Sequence, residues 1–312
     1  MTSISKPIVF FGTEDFSLIA LKALVTAGYP VVAVVTKPDS AKGRGQQVIA
    51  PAVKTFALEN NIAVWQPDKL IKITENVQKL DRPVGVLVSY GKIIPQSILD
   101  LFTPGIINLH PSLLPKYRGP SPIEATILNG DTETGVSIMQ LSAKMDAGPI
   151  YAQERLSISE HAKADYLYNQ LGFIGSKLLL KILPAIIDGS LQPEMQNDAL
   201  ATYCNLIKKS DGIIDWNKTS QEIEREIRAY KDWPQSRTKL GNIDVIITSA
   251  TDIWPIKNSI PASLDIVYDE DVKTLFVGTA NGSIEIDSIK PVGKKEMPIA
   301  AFLSGYRSQL GV

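Results

Sequence analysis

Cysteine and histidine are almost missing from this chain. Its 312 residues include one cysteine, Cys204, and two histidines, His110 and His161. One cysteine excludes an intramolecular disulfide and a cysteine-based metal site, and two histidines leave no His-rich metal site. An excess of charge of either sign is also absent. With 32 Lys and Arg against 33 Asp and Glu the net charge is −1. No global field attracts a polyanion or a membrane, so any such site must be a local patch. No run reaches the roughly 18 apolar residues of a membrane span. The start, "MTSISKPIVFFGTEDF", lacks the sustained apolar region and small-residue cleavage site of a leader. The expected location is the cytoplasm. Three catalytic signatures are missing as well. There is no G-x-S-x-G elbow and no P-loop, and "GTEDF" has one glycine where a dinucleotide fingerprint needs three. Covalent acyl-enzyme chemistry, NTP hydrolysis and hydride transfer are disfavoured.

What is present is an alternation of apolar strands and amphipathic helices. "PIVFFGT", "VVAVVT", "VGVLVSYG" and "GIINLH" read as buried strands. "EDFSLIALKALVTAGY", "APAVKTFALENN" and "PSPIEATILNG" read as the helices between them. "GVSIMQL" and "GPIYAQERLSI" read as a hairpin, and 163–189 as a long helix stopped by Gly189. This order implies an α/β fold, a mostly parallel sheet with helices on both faces. Residues 190–206 are polar and weakly patterned, a candidate linker. Beyond them "SQEIEREIRAYKDWP" (220–234) reads as an amphipathic helix. Short β-rich pieces around Gly, Pro and Asn then suggest a small barrel or sandwich. The expected domains are 1–189 and 207–312.

In open α/β sheets ligands bind beyond the carboxyl ends of the strands. "GIINLHPSLLPKYRGPSP" (105–122) delivers Asn108 and His110 to such an end. Two residues apart on a strand, they share a face. An amide there can donate to an oxyanion, and an imidazole can accept a proton or stabilise charge near neutral pH. The bland alternative is a hydrogen-bonded strand-end histidine. Asp146, in "KMDAGPI", could orient the imidazole or be an ordinary turn aspartate. His161, in "SISEHAKAD", reads as a polar surface residue. Lys42 and Arg44 stand in a glycine-containing basic loop, "TKPDSAKGRGQQVIAPAVK", either solvated or an arm for a phosphate-rich partner. Lys290, Lys294 and Lys295 form a second basic cluster.

"NLHPSLLPKYRGPSP", followed about 30 residues later by "LSAKMDAGPI", resembles the formyltransferases that draw on 10-formyltetrahydrofolate. Their pattern has an Asn-x-His strand end, a Ser-Leu-Leu-Pro loop and an Asp-x-Gly loop. Within that group the chain is similar, over nearly its full length, to the methionyl-tRNA formyltransferase branch. "VFFGTEDFSLIALKAL", "VSYGKIIP", "DGIIDWNKTSQEIEREIRAYKDWP" and "IKPVGKKEMPIAAFLSG" carry that likeness. Glu14, Pro111, Pro120 and Ser121 stand where many members have other residues. The resemblance implies a Rossmann-like folate-binding catalytic domain and an OB-like β-barrel that binds tRNA. It implies formyl transfer from 10-formyltetrahydrofolate to initiator methionyl-tRNA, by a monomer without metal or membrane. By motif match the catalytic residues are Asn108, His110 and Asp146. The folate side takes Tyr90, Gly91, Ile93, Ser112, Leu113, Leu114 and Pro115, and the tRNA side takes Lys42, Arg44, Lys294 and Lys295. A formyltransferase acting on a sugar nucleotide or another small amine is the alternative.

Overall fold

The computed structural model describes residues 6–42, 47–253, 264–271 and 273–310. They group into two compact units: 1–122 with 133–157 and 168–205, and 123–132 with 158–167 and 206–312.

The first unit begins with β1 (Ile8–Gly12), α1 (Asp15–Thr26) and β2 (Val31–Val35). A short pair β3 (Ser40–Lys42) and β4 (Gln47–Ile49), α2 (Ala52–Glu59) and β5 (Ala63–Trp65) follow. Then come α3 (Thr74–Gln78), β6 (Val84–Val88), α4 (Gln96–Leu99) and β7 (Ile106–His110). α5 (Pro122–Leu128) falls in the second unit from Ile123 on; β8 (Glu133–Gln140) and β9 (Ile150–Ser157) form the expected hairpin of the first, and α6 (Ala164–Asp188) belongs to the first from Tyr168 on. The sheet order is β5-β2-β1-β6-β7-β8-β9. Strands from β5 to β7 pair in parallel, while β8 and β9 add an antiparallel edge. Every residue of β1, β6 and β7 is buried. Such runs are nearly all apolar because a parallel sheet is covered on both faces. Asn108 and His110 are therefore the exceptions within their strand.

The chain runs outward from β1 through β2 to β5, then returns to lay β6 on the other side of β1. The order reverses there, so a crevice opens beyond the ends of β1 and β6. The backbone N–H groups of Thr13 and Glu14 both donate to the carbonyl of Ser89 across it. α6 is long and apolar enough to match a membrane span by length and composition. The sequence reading had found no such run. Lys177 and Lys181 interrupt it, and Leu171, Leu179, Leu183 and Ile186 are buried in the protein, the pattern of a core helix. Residues 190–205 run along this unit: Glu194 and Ile150 exchange backbone hydrogen bonds, and Thr202 N–H donates to Pro115.

The second unit includes α7 (Ser220–Ala229), β10 (Ser236–Leu240), β11 (Ile243–Ile253), β12 (Ile266–Asp269), β13 (Thr274–Gly278), β14 (Ser283–Pro291), β15 (Met297–Pro298) and α8 (Ile299–Leu310). Its antiparallel sheet runs β10-β11-β14-β13-β12. α7 starts at a capping box in which Thr219 and Glu222 satisfy each other's backbone donors. It stops at Ala229, five residues short of the 220–234 expectation, because the chain turns ahead of Pro234 and Gln235 N–H reaches back to the Tyr230 carbonyl. α8 was not read as a helix in the sequence. Its Phe302 and Leu303 join a core with Ile223, Ile227, Ile284 and Ile286.

Candidate functional site

β7 ends at His110, beside the crevice between β1 and β6. Leu109 points to the other face and packs closely on Gly175 of α6, where an added Cβ would lie 2.9 Å from it. Asn108 and His110 thus face away from α6, and both are nearly closed off, at 4% and 5% exposure. Among the described residues the Asn108 amide has no side-chain hydrogen-bond partner. An amide without a side-chain partner is open to a ligand oxygen.

The imidazole of His110 has a partner facing each nitrogen. Nε2 lies 3.0 Å from the carbonyl of Tyr117. A carbonyl can only accept, so Nε2 carries a proton. Nδ1 faces the Asp146 carboxylate at 3.8 Å. A proton arriving at Nδ1 would lie between ring and carboxylate. Asp146 also accepts a hydrogen bond from Gly119 N–H, at 2.9 Å. The three candidate catalytic side chains, separated by up to 38 positions in sequence, meet at one strand end.

The backbone here is strained in a way that local sequence does not reveal. Ser89, Tyr117 and Asp146 all take left-handed conformations, with φ of 45, 59 and 47°. Such conformations cost non-glycine residues energy and persist where surroundings fix them. Gly148 is required two residues after Asp146, because a Cβ would sit 1.8 Å from the carbonyl of Gln140. Gly119, at φ +127°, runs against Cys204, whose carbonyl would lie 2.2 Å from a Cβ.

The remaining predicted residues have varied placements. Ser112 is buried, with its hydroxyl donating to Lys116 O and its carbonyl accepting from Ser137 Oγ. Leu114 is buried, and its N–H donates to Ser137 Oγ. Leu113 packs on Gly135, and Pro115 O accepts from Thr202 N–H. These residues form the wall of the strand-end loop. Gly91 and Ile93 are exposed, Ile93 at 82%. Tyr90 can meet a ligand here through its backbone, not its ring. Its ring is fully buried in the core against Phe11, and burial pushes its hydroxyl pKa up to about 12. Only its backbone reaches the crevice, where the carbonyl accepts from Thr13 Oγ1. Lys294 and Lys295 are exposed in the turn after β14. Lys42 ends β3, and Arg44 lies outside the described residues.

Sequence reasoning missed Arg118 and Gln196. Arg118 is 2% exposed. Its guanidinium donates to Gln196 Oε1, to Asp198 and to the Tyr203 hydroxyl. Burial works against its charge, but the Asp198 and Tyr203 contacts outweigh that and hold its pKa above the ordinary arginine value. The available signal was an arginine set among prolines and glycine in "KYRGPSP", too closely confined for a solvated side chain.

An amide donor, an imidazole and a carboxylate at the carboxyl edge of a doubly wound sheet are groups suited to acyl transfer. Family comparison narrows that chemistry. Residues 6–183 match the formyl transferase family and residues 206–307 the formyl transferase C-terminal domain. The methionyl-tRNA formyltransferase of Dehalococcoides mccartyi is 39% identical over 307 residues, covering 98% of this chain and 97% of that one. The enzyme of the same name from Geobacter metallireducens is 35% identical over 310 residues, 98% of this chain and 97% of its own. The chain belongs to the methionyl-tRNA formyltransferase family. In fold it is also similar to an N-formyltransferase from Helicobacter canadensis solved with folinic acid and dTDP-3-aminofucose. There the TM-score is 0.67 at 21% identity, over 94% of this chain and 99% of that one.

Proposed function

We propose that this protein transfers the formyl group of 10-formyltetrahydrofolate to the α-amine of methionyl initiator tRNA, and that Asn108, His110 and Asp146 carry the reaction. The observation that carries this reading is the unpartnered Asn108 amide next to an imidazole whose Nδ1 faces the Asp146 carboxylate at 3.8 Å. Membership of the family supports the substrates. In this reading the pterin lies along the turn of Tyr90, Gly91 and Ile93, the Ser112–Pro115 loop borders the folate, and the formyl oxygen meets Asn108.

The chemistry follows from the groups present. The neutral amine nitrogen attacks the formyl carbon, forming a C–N bond and placing negative charge on the formyl oxygen. Asn108 donates to that oxygen, and the His110 ring stabilises the charge from beside it. Asp146 holds the ring and, being 16% exposed at its side chain, is accessible to take the proton of the attacking amine. Collapse breaks the bond to N10, which receives that proton. The products are a formylated amine and tetrahydrofolate, and no covalent enzyme intermediate forms. The 207–312 domain, with Lys294 and Lys295, and the loop holding Lys42 and Arg44 serve the tRNA. The domain boundary at 190–206 and the OB-like character of the second unit belong to the same proposal.

The test offers the purified protein one formyl donor and three acceptors in parallel: charged initiator tRNA, an amino-sugar nucleotide and glycinamide ribotide. Formylation of the charged tRNA at a kcat/KM far above the other two is expected. A preference for the sugar nucleotide would replace this substrate assignment while keeping the reaction class.

A further inference from the structure

Resting on that reading, we propose that Gln196 is a positioning residue for catalysis: it clamps the Asp146 loop in its left-handed conformation and ties it to the buried Arg118, so that carboxylate and imidazole are held in register.

The amide of Gln196 is used on both sides. Its Nε2 donates to two carbonyls that flank the catalytic turn, Asp146 O at 2.8 Å and Gly148 O at 2.7 Å. Its Oε1 accepts from Arg118 Nε at 3.0 Å and Nη2 at 2.8 Å. Chemistry fixes this orientation, since a guanidinium can only donate and a carbonyl can only accept. Arg118 is anchored in turn by Asp198 at 2.6 Å, and its own N–H donates to Thr202 O. On either side of Arg118 in sequence, Tyr117 O accepts a hydrogen bond from His110 Nε2–H and Gly119 N–H donates to the Asp146 carboxylate. Two loops therefore hold the reacting groups. Loop 117–119 touches His110 and Asp146 directly, and loop 146–148 presents the carboxylate.

The Gln196 side chain bonds to both loops at once. It comes from the polar stretch 190–205, which the sequence suggests is a connector. Asp146 needs such a clamp because its φ of 47° is not held by local preference. The His110–Asp146 separation is already 3.8 Å, so a shift of about 1 Å would uncouple the pair, a displacement that can cost about a hundredfold in rate.

The bland alternative is that Gln196 merely satisfies a buried arginine. Two variants separate the readings. Gln196→Glu keeps two acceptor oxygens for Arg118 but turns the donors that hold Asp146 and Gly148 into a repelling oxygen. Gln196→Met removes both functions. In the full-length protein, Gln196→Glu should lower kcat by about 10–100-fold while KM for both substrates stays within about threefold. Its Tm should stay within about 3 °C of the parent. Gln196→Met should lose kcat similarly and lose Tm as well.

A second readout does not depend on turnover. With only two histidines in the chain, ring ¹⁵N signals can be assigned using a His161→Gln variant. The His110 signals should move in Gln196→Glu and the His161 signals should not. If Gln196→Glu does not fold, Gln196→Asn, one methylene too short to span both loops, is read in the same way. Parent-like kcat with unmoved His110 signals would overturn the proposal, as would a kcat loss confined to Gln196→Met. If the parent formylates no acceptor, the functional reading fails, while the His110 signals still report whether Gln196 positions the pair.

Discussion

Two loops of the first unit both combine Pro, Gly, Lys and Arg, yet they are tied down to very different extents. In the strand-end loop, 111–121, Ser112, Leu114, Arg118 and Ser121 are buried. Its backbone and side chains bond to Ser137, Gln153, Gln196, Thr202 and Asn205. The described parts of the basic loop, 36–42 and 47–54, are tied at their root, where Thr36 N–H donates to Trp65 O, Lys37 N–H to Thr13 Oγ1 and Gln66 Nε2 to Lys37 O; farther out they form a three-residue-strand hairpin and one surface clamp. Lys54 and Gln66 both reach Asp39, and their hydrogen bonds hold its carboxyl below the usual range. Val48 is 72% exposed there. Loop stiffness is thus set by how many polar groups find partners from distant segments, and composition does not report that. The stiff loop borders the proposed chemistry. The lightly tied one is the proposed arm for a large substrate.

The sharpest way to break this contrast is Asn108→Ala. The amide has no side-chain hydrogen-bond partner among the described residues, so its loss should leave the fold and Tm unchanged. Removing a donor aimed at a developing oxyanion costs about 2.7–4 kcal/mol of barrier, about 10²–10³ in kcat. Steady-state kinetics with a circular-dichroism melt check both halves. Parent-like turnover would remove Asn108 from the mechanism.

Next in size is Gly119→Ala, which tests the stiffness of the strand-end loop itself. Its φ of +127° suits glycine, and the Cys204 carbonyl at 2.2 Å from the new Cβ is backbone that cannot rotate away. A loss of about 2–3 kcal/mol of stability is expected. It should be accompanied by lower kcat, since Gly119 N–H donates to Asp146. Denaturant unfolding monitored alongside turnover measures this. An alanine that costs under about 0.5 kcal/mol would show that the loop yields easily, against the comparison drawn above.

The parallel sheet was legible in the sequence because its strands are buried on both faces and read as unbroken apolar runs. Asn108 and His110 were legible for the same reason, as polar residues where such a run stops. Asp146 was legible only through a motif, since a turn aspartate looks alike whether or not it faces an imidazole. Arg118 and Gln196 were not legible. Their importance lies in hydrogen bonds spanning 78 positions between them, and no local periodicity encodes a contact at that range. Which part of Tyr90 faces the crevice was not legible either: its turn lies there, but its ring packs in the core against Phe11. α8 was hidden because its short amphipathic pattern follows directly on β-rich sequence.

A smaller effect is expected at the other loop. Arg44→Ala should weaken use of charged tRNA about tenfold and leave folate KM unchanged. The parent's KM for tRNA should rise steeply with salt, and the variant's slope should be shallower by about one phosphate contact. Kinetics at several salt concentrations read this directly. Equal losses for folate and tRNA would place Arg44 with the stiff loop's functions instead.

The smallest change is a gain. The Tyr90 hydroxyl is buried without a hydrogen-bond partner, so Tyr90→Phe removes an unpaid desolvation cost and should stabilise the protein by about 1 kcal/mol at neutral pH. The sign of the pH effect follows from burial, which raises the folded-state pKa to about 12. An unfolded tyrosine titrates near 10. Stability from this group is therefore fully present below about pH 10 and is lost as pH rises toward 12, because the unfolded chain releases the proton first. Tyr90→Phe should flatten that loss in the first unit. Tyr230 in the second unit, raised to about 12 by burial and then by Glu226, Asp211 and Glu124, keeps its own. Urea unfolding between about pH 9 and 11 should show a shallower decline in Tyr90→Phe than in the parent. An unchanged slope, or a net loss of stability at pH 7, would mean that the phenol is not isolated in the core.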